Sequence, residues 1–264
     1  MLRNKPIQIE GMFVLIDHGE VNGLKHWSGE LGRRGIPAVI IVSEGVIDSN
    51  CNLIKNLSDR GFEIGGQCGR GPFWNEPYDY QYEEIGRVKN KIQSCIARPA
   101  RILNSANFAY DENTLKVADK LGVEFVLARG TAGTKAVIYK PEEYNVRIIS
   151  VSNVPSKGMG TGSLCDYSLW ARGESPDDFK NILFELKEDK VVLVSHTHLG
   201  GAKLYWWNVY QNFLDANIVA WKGLDEFVTK PIMLPNAQIP LNTEVKYRIP
   251  KPRIALEQEP GLFT

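Results

Sequence analysis

No stretch of this 264-residue chain approaches the roughly 18 consecutive apolar residues that a membrane-spanning helix requires. The opening MLRNKPIQIE interleaves charged and apolar side chains and offers no hydrophobic segment of a secretory leader. Cysteine is scarce. Cys51, Cys68, Cys95 and Cys165 stand far apart with no CxxC pair, which argues against a zinc ribbon or a disulfide framework and predicts reduced thiols. Net charge is missing as well: 31 Lys plus Arg balance 31 Asp plus Glu, so no overall field draws the chain to nucleic acid or to an anionic membrane. There is no internal repeat, and no glycine cluster ends in the GK[ST] of a phosphate loop. These absences predict a cytoplasmic protein that neither binds nucleic acid nor spans a membrane.

What is present is core material, with 43% hydrophobic and 10% aromatic residues, arranged in alternating β-rich and helical stretches. FVLI (13–16) precedes an amphipathic segment to Leu31 that GRRG closes. AVIIV (38–42) precedes a helix expected from about Ser49 to Arg60, capped by Asp48 or Ser49, and FEIGG (62–66) follows. A helix near 80–96 leads to RILN (101–104). Asp111 is placed to cap ENTLKVADKL, with Gly122 as its stop. EFVLA (124–128), RIISVS (147–152), a helix opened by Ser175-Pro176, VVLVSH (191–196), a helix through Leu214, IVAW (218–221) and a short GLDEFV helix complete the series. Strands and helices alternating in this way predict βαβ units and an α/β fold, a single barrel domain over 1–264. Two regions break the rhythm. VSNVPSKGMGTGS reads as a surface loop or lid, and six of the fourteen prolines fall from Lys230 onward, predicting an extended tail over 230–264 that packs on the body or reaches a second copy of the chain.

In parallel β/α folds ligands sit at the C-terminal ends of the strands. Asp17 and His18 end the first strand, Gln67 and Cys68 the third and Asn104 the fourth, and His196 and His198 follow VVLVS. Three of the four histidines thus fall on one face, which marks it as the candidate site. His26 and the tryptophan pair Trp206-Trp207 belong to helical stretches and read as packing residues. Cys68 in its glycine-rich turn is a conceivable nucleophile, and Cys51, Cys95 and Cys165 read as inert. Trp74 in GPFWNEP and Trp170 in DYSLW lie in loops expected on the active face, where aromatic rings suit stacking on sugars as well as loop packing.

The order and spacing of these segments resemble the polysaccharide deacetylases, the NodB-type carbohydrate esterases. Leu15-Ile16-Asp17-His18-Gly19 resembles the family's Thr-Phe-Asp-Asp-Gly motif. The run from GLKHWSGELGRRGIPAVIIV to RGFEIGGQ resembles its first helix, next strand and the segment leading to its metal histidines. YDENTLKVADKLGVEFVLA, VLVSHTH and WKGLDEFV resemble later stretches, so the likeness spans about 11–229. It implies a distorted (β/α) barrel of seven or eight units. It also implies hydrolysis of an N-acyl sugar or related amide, as in surface-polysaccharide (O-antigen-like) biosynthesis, with Asp17 as catalytic base and His196 as the acid for the leaving amine.

The departures from the pattern are as specific as the matches. His18 stands where the family has a metal-binding Asp, Gln67 and Gly71 where it has two metal histidines, and Asn104 where it has an arginine. Glycine offers no ligand atom, so the family's metal triad cannot form. Two chemical readings follow. In one, His18, His196 and His198 hold zinc at a rearranged site, with Asp17 or Cys68 as fourth ligand. In the other, Asp17 and His196 work without metal and Gln67 and Asn104 bind substrate, with Trp74 and Trp170 at the sugar. The alternative from a different class is an inactive deacetylase-fold protein that binds a glycan or an assembly partner.

Overall fold

The computed structural model describes residues 9–69, 71–130, 135–157, 160–238 and 259–263. The leader reading at 1–8 and most of the proline-rich tail lie outside them. In chain order the elements are β1 (Ile9–Asp17), α1 (Val21–Arg34), β2 (Ala38–Val42), α2 (Glu44–Asp59), β3 (Glu63–Cys68), α3 (Tyr78–Ile96), β4 (Ile102–Ser105), α4 (Glu112–Lys120) and β5 (Phe125–Arg129). Then come β6 (Ile138–Pro141), β7 (Arg147–Val151), β8 (Asn153–Ser156), β9 (Gly160–Ser163), α5 (Asp166–Trp170), α6 (Pro176–Phe184), β10 (Lys190–His196), α7 (Leu204–Asp215), β11 (Val219–Trp221), α8 (Leu224–Phe227) and β12 (Ile232–Leu234).

Local chemistry accounts for the helices. In α1, Leu24, Trp27, Ser28 and Leu31 form a buried stripe at helical spacing, and Gly35 ends the helix in the left-handed conformation at φ 65°. Asp111 and Ser175 cap α4 and α6 with reciprocal side-chain bonds, and Pro176 opens α6. The second helix differs from expectation: it begins at Glu44, and Asn50 leaves helical geometry inside it, so the start expected near Ser49 is the break between its two parts.

The strands form one curled sheet in the order β10-β1-β2-β3-β4-β5-β7-β6-β12, with β11 also on β1. All described pairings in it are parallel except that of β6 with β7. The barrel expected from sequence is present in distorted form, because β7 and β10 do not pair directly. The stretch after β9 bridges them: Leu164 N donates to Ser152 O at 2.7 Å and Val194 N donates to Leu164 O at 3.0 Å. The region read as a loop or lid is therefore partly a β8–β9 hairpin that leads into this seam.

Side-chain alternation sorts the core into two layers. Met12, Val14 and Ile16 point into the barrel with Val39, Ile41, Leu127 and Val194. Phe13 and Leu15 point outward, with Ile40 and Val42, to the helices. The expectation of four reduced cysteines is corrected: Cys51 on α2 and Cys95 on α3 form a disulfide with Cα atoms 5.6 Å apart. They are 44 residues apart in sequence, but α2 and α3 pack side by side. The described parts of the tail lie on the body, β12 against β6 and the end of the chain against the start of α7, where Leu262 N donates to Ala202 O at 2.8 Å. Among the described residues no helix is long and apolar enough to cross a membrane.

Candidate active site

A cavity of about 420 Å³ opens at the C-terminal ends of the strands. His18 follows β1, Gln67 lies in β3, Asn104 in β4 and Arg129 at the end of β5. Cys165, Tyr167 and Arg172 come from the stretch around α5, and His196 and His198 from the end of β10. The structure thus brings together five of the residues expected from sequence: His18, Gln67, Asn104, His196 and His198.

It does not bring Asp17 there. Alternation along β1 places Asp17 on the outward side with Phe13 and Leu15, whereas Ile16 and His18 face the cavity. The buried Asp17 carboxylate accepts from Thr197 Oγ1 at 2.6 Å and from Gly19 N at 2.8 Å. Burial raises its pKa, and those two bonds only partly offset the rise. Trp74 and Trp170 are also absent from the cavity wall. Trp170 is buried behind Tyr167, with ring centroids 5.6 Å apart, and it is Tyr167 that meets the cavity. Cys68 faces away, buried under α3, and burial pushes its thiol pKa up.

His196 is the best-supported side chain of the site. Its Nδ1 lies 3.5 Å from Asp166 Oδ1 and 3.3 Å from Cys165 Sγ. Asp166 is fully buried, and its carboxylate accepts from Tyr167 N at 2.6 Å, His196 N at 2.9 Å and Cys165 Sγ at 3.7 Å on Oδ1, and from Ser195 Oγ at 2.7 Å and Gly200 N at 3.1 Å on Oδ2. Burial alone would raise its pKa, but His196 and these donors together hold it below the usual carboxylate value. Trp27 Nε1 donates to Ser195 Oγ at 3.1 Å and anchors the network in α1. Gly200 permits the close approach, since a Cβ there would meet Ser195 Oγ at 2.3 Å and Asp166 Oδ2 at 2.7 Å.

Around His196 stand three rings: Tyr167 at 5.0 Å, and His18 and His198 each at 5.6 Å between centroids. Desolvation and then the neighbouring imidazoles push the pKa of His18 and of His198 down to about 4. Opposite them, Gln67 and Asn104 are register partners on β3 and β4. Gln67 Oε1 and Asn104 Oδ1 are buried and take no hydrogen bond. Buried polar atoms without a partner are costly, and here they lie in the wall of a cavity that would take a ligand.

Comparison with known proteins bears on the fold. Residues 12–126 match the polysaccharide deacetylase family. Over that stretch, somewhat less than half of its length, the chain is similar to the NodB-like deacetylases. A protein from Mycobacterium smegmatis assigned as a polysaccharide deacetylase is 12% identical, with a TM-score of 0.66, over 83% of this chain and 88% of that one. An allantoinase is 11% identical, with a TM-score of 0.64, over 84% and 90%. A pseudoenzyme of carbohydrate esterase family 4 from Bacillus anthracis is 9% identical, with a TM-score of 0.61, over 86% and 68%; a mutant of it is described as having restored enzymatic activity. At these identities the likeness establishes the fold. No curated protein matches the chain in sequence.

The likeness to that family raises the question of a divalent metal, so the donor set has to be tested for one. Gly71 lines the cavity with no ligand atom to offer. The ligating nitrogens of His18, His196 and His198 do not all converge: among the described residues, the group whose ligand atoms lie within 4.8 Å of one another is Cys165, Asp166 and His196. That cluster has the right kinds of atom, but both oxygens of the Asp166 carboxylate already accept from backbone and hydroxyl donors. The Cys165 thiol is pushed well above its usual pKa by burial and by Asp166, which opposes the thiolate that a metal requires. The residues present do not fit the family's metal, and the chemistry below is derived without one.

Sequence reasoning does not pick out Asp166, Tyr167, Arg129 or Arg172. Arg129 was within its reach, because the strand-end rule that selects Asn104 applies equally to the end of EFVLA. Asp166 and Tyr167 follow an irregular glycine- and serine-rich stretch, where no periodicity indicates which way a side chain points.

Proposed function

We propose that the chain hydrolyses an N-acyl amide, with His196 as both general base and general acid. The observation that carries this reading is a cavity-facing imidazole whose Nδ1 lies 3.5 Å from a buried carboxylate, whose pKa is held below the usual value. With Nδ1 carrying the proton toward Asp166, Nε2 on the far side of the ring is the free base. It removes a proton from a water molecule as the water oxygen attacks the acyl carbon. The carbonyl becomes an oxyanion, stabilised by the carboxamide N–H groups of Gln67 and Asn104, since each amide carries donors as well as its acceptor oxygen. Asp166 stabilises the imidazolium. The imidazolium returns its proton to the departing nitrogen as the C–N bond breaks, leaving a carboxylic acid and an amine.

The base role thus moves from Asp17, which is engaged by Thr197 behind the wall, to His196. The deacetylase fold favours an N-acyl sugar, and a precursor in surface-polysaccharide synthesis fits that class. Chelator-treated protein incubated with N-acetylated amino sugars is expected to release acetate and free amine one to one. Asp166→Asn is expected to slow that release at least about a hundredfold, because the wrong tautomer is then favoured. A wild-type protein that binds these sugars without cleaving them favours the second reading, a glycan-binding protein on a deacetylase fold. The observation behind that second reading is the departure of Asp17 from the cavity wall.

A further inference from the structure

The cavity wall has an unbalanced charge composition. Among the described residues that line it there is no aspartate or glutamate, while two arginines do line it, Arg129 and Arg172. Asp17 and Asp166 lie behind the wall with their oxygens engaged by Thr197, Gly19 and the backbone and hydroxyl donors around His196. The arginines come from two parts of the wall, the end of β5 and the end of α5, which packs on β10. Arg129 ends β5, next to the strand that carries Asn104, and Arg172 follows α5. Both are half-buried, so a guanidinium there meets a ligand in a partly desolvated setting, where a charge-assisted bond is stronger than in open water. Arg172 is held in place through Nη1, which donates to Ser168 O at 2.7 Å and Ser168 Oγ at 2.8 Å. This built, cationic wall lies within a chain whose overall charge is zero.

We infer that the ligand of this cavity carries an oxyanion, a carboxylate or a phosphate, which Arg129 and Arg172 bind while its N-acyl group faces His196. The inference rests on the proposed hydrolytic site for the placement of the acyl group, but the anion preference is a separate property of the two arginines. It names the substrate class as an anionic N-acyl compound and disfavours a neutral glycan end.

The test is equilibrium binding to the full chain by calorimetry with four probes: N-acetylglucosamine, its 1-phosphate, its 6-phosphate and N-acetylglycine. At least one anionic probe is expected to bind about tenfold or more tighter than neutral N-acetylglucosamine, with an advantage that shrinks as salt is raised. Which arm gains affinity distinguishes phosphate from carboxylate. Arg129→Gln and Arg172→Gln are each expected to reduce the ratio of anionic to neutral affinity, and Arg172→Lys to retain part of it. Anionic probes that bind no tighter than the neutral one, including no detectable binding of any probe, overturn the inference on the wild-type protein alone. So does a preference that survives both glutamine variants. Acetate release measured on the same probes separates the two claims. An anion preference without cleavage sinks the hydrolase and leaves the anion site standing, whereas cleavage without preference does the reverse.

Discussion

Two imidazoles at the cavity mouth give the site a pH signature. His18 and His198 have folded-state pKa values lowered to about 4, against about 6.5 in an unfolded chain. Between those values the unfolded chain binds more protons than the folded one, so stability is complete above pH 6.5 and declines as the pH falls toward 4. Thermal melts across that window should therefore show a falling midpoint for the wild type and a flatter dependence for His18→Asn and His198→Asn. Equal slopes in all three proteins would mean that the imidazoles do not titrate as their surroundings require. At this same scale the reading of the site from sequence is mixed. His18, Gln67, Asn104, His196 and His198 are legible as strand-end residues and do line the cavity. Asp17 is legible as a strand-end residue too, but a strand turns successive side chains to opposite faces, so Asp17 and His18 cannot both look inward. Counting outward from Phe13 and Leu15 gives Asp17 its side; nearness in sequence does not.

At the scale of elements, the disulfide between α2 and α3 is the covalent feature that spacing conceals. Loop-closure entropy for a crosslink over 44 residues amounts to about 4 kcal/mol. Cys51→Ser, compared with wild type in oxidising buffer, should melt lower by on the order of 10 °C, and reductant should remove the difference. Identical melting curves in oxidising buffer would rule out a stabilising crosslink. The elements that are legible in the sequence carry local chemistry: the Asp111 and Ser175 caps, the helical stripe of α1, the fully buried AVIIV. Those that are not, β6, β8, β9 and β12, are three or four residues long. A segment so short has no periodicity of its own, and only pairing with a distant partner makes it a strand.

At the scale of the whole molecule, the same incomplete closure that distorts the barrel also builds the site. Because β7 and β10 do not pair, the chain from Leu164 onward enters the gap, and this puts Asp166 directly beneath Ser195 and His196. A regular barrel with paired β7 and β10 would have no room for that carboxylate. The resemblance to polysaccharide deacetylases predicts the barrel. Gln67 and Gly71 stand where the resembled family has metal histidines, and the seam places Asp166 beside His196. The most direct test of this account is acetate release from an N-acetylated amino sugar in the presence of chelator, comparing wild type with a His196→Asn variant whose melting curve shows that it folds. The account predicts turnover by the wild type and a loss of at least about a hundredfold in the variant. Equal rates in the two proteins would contradict it.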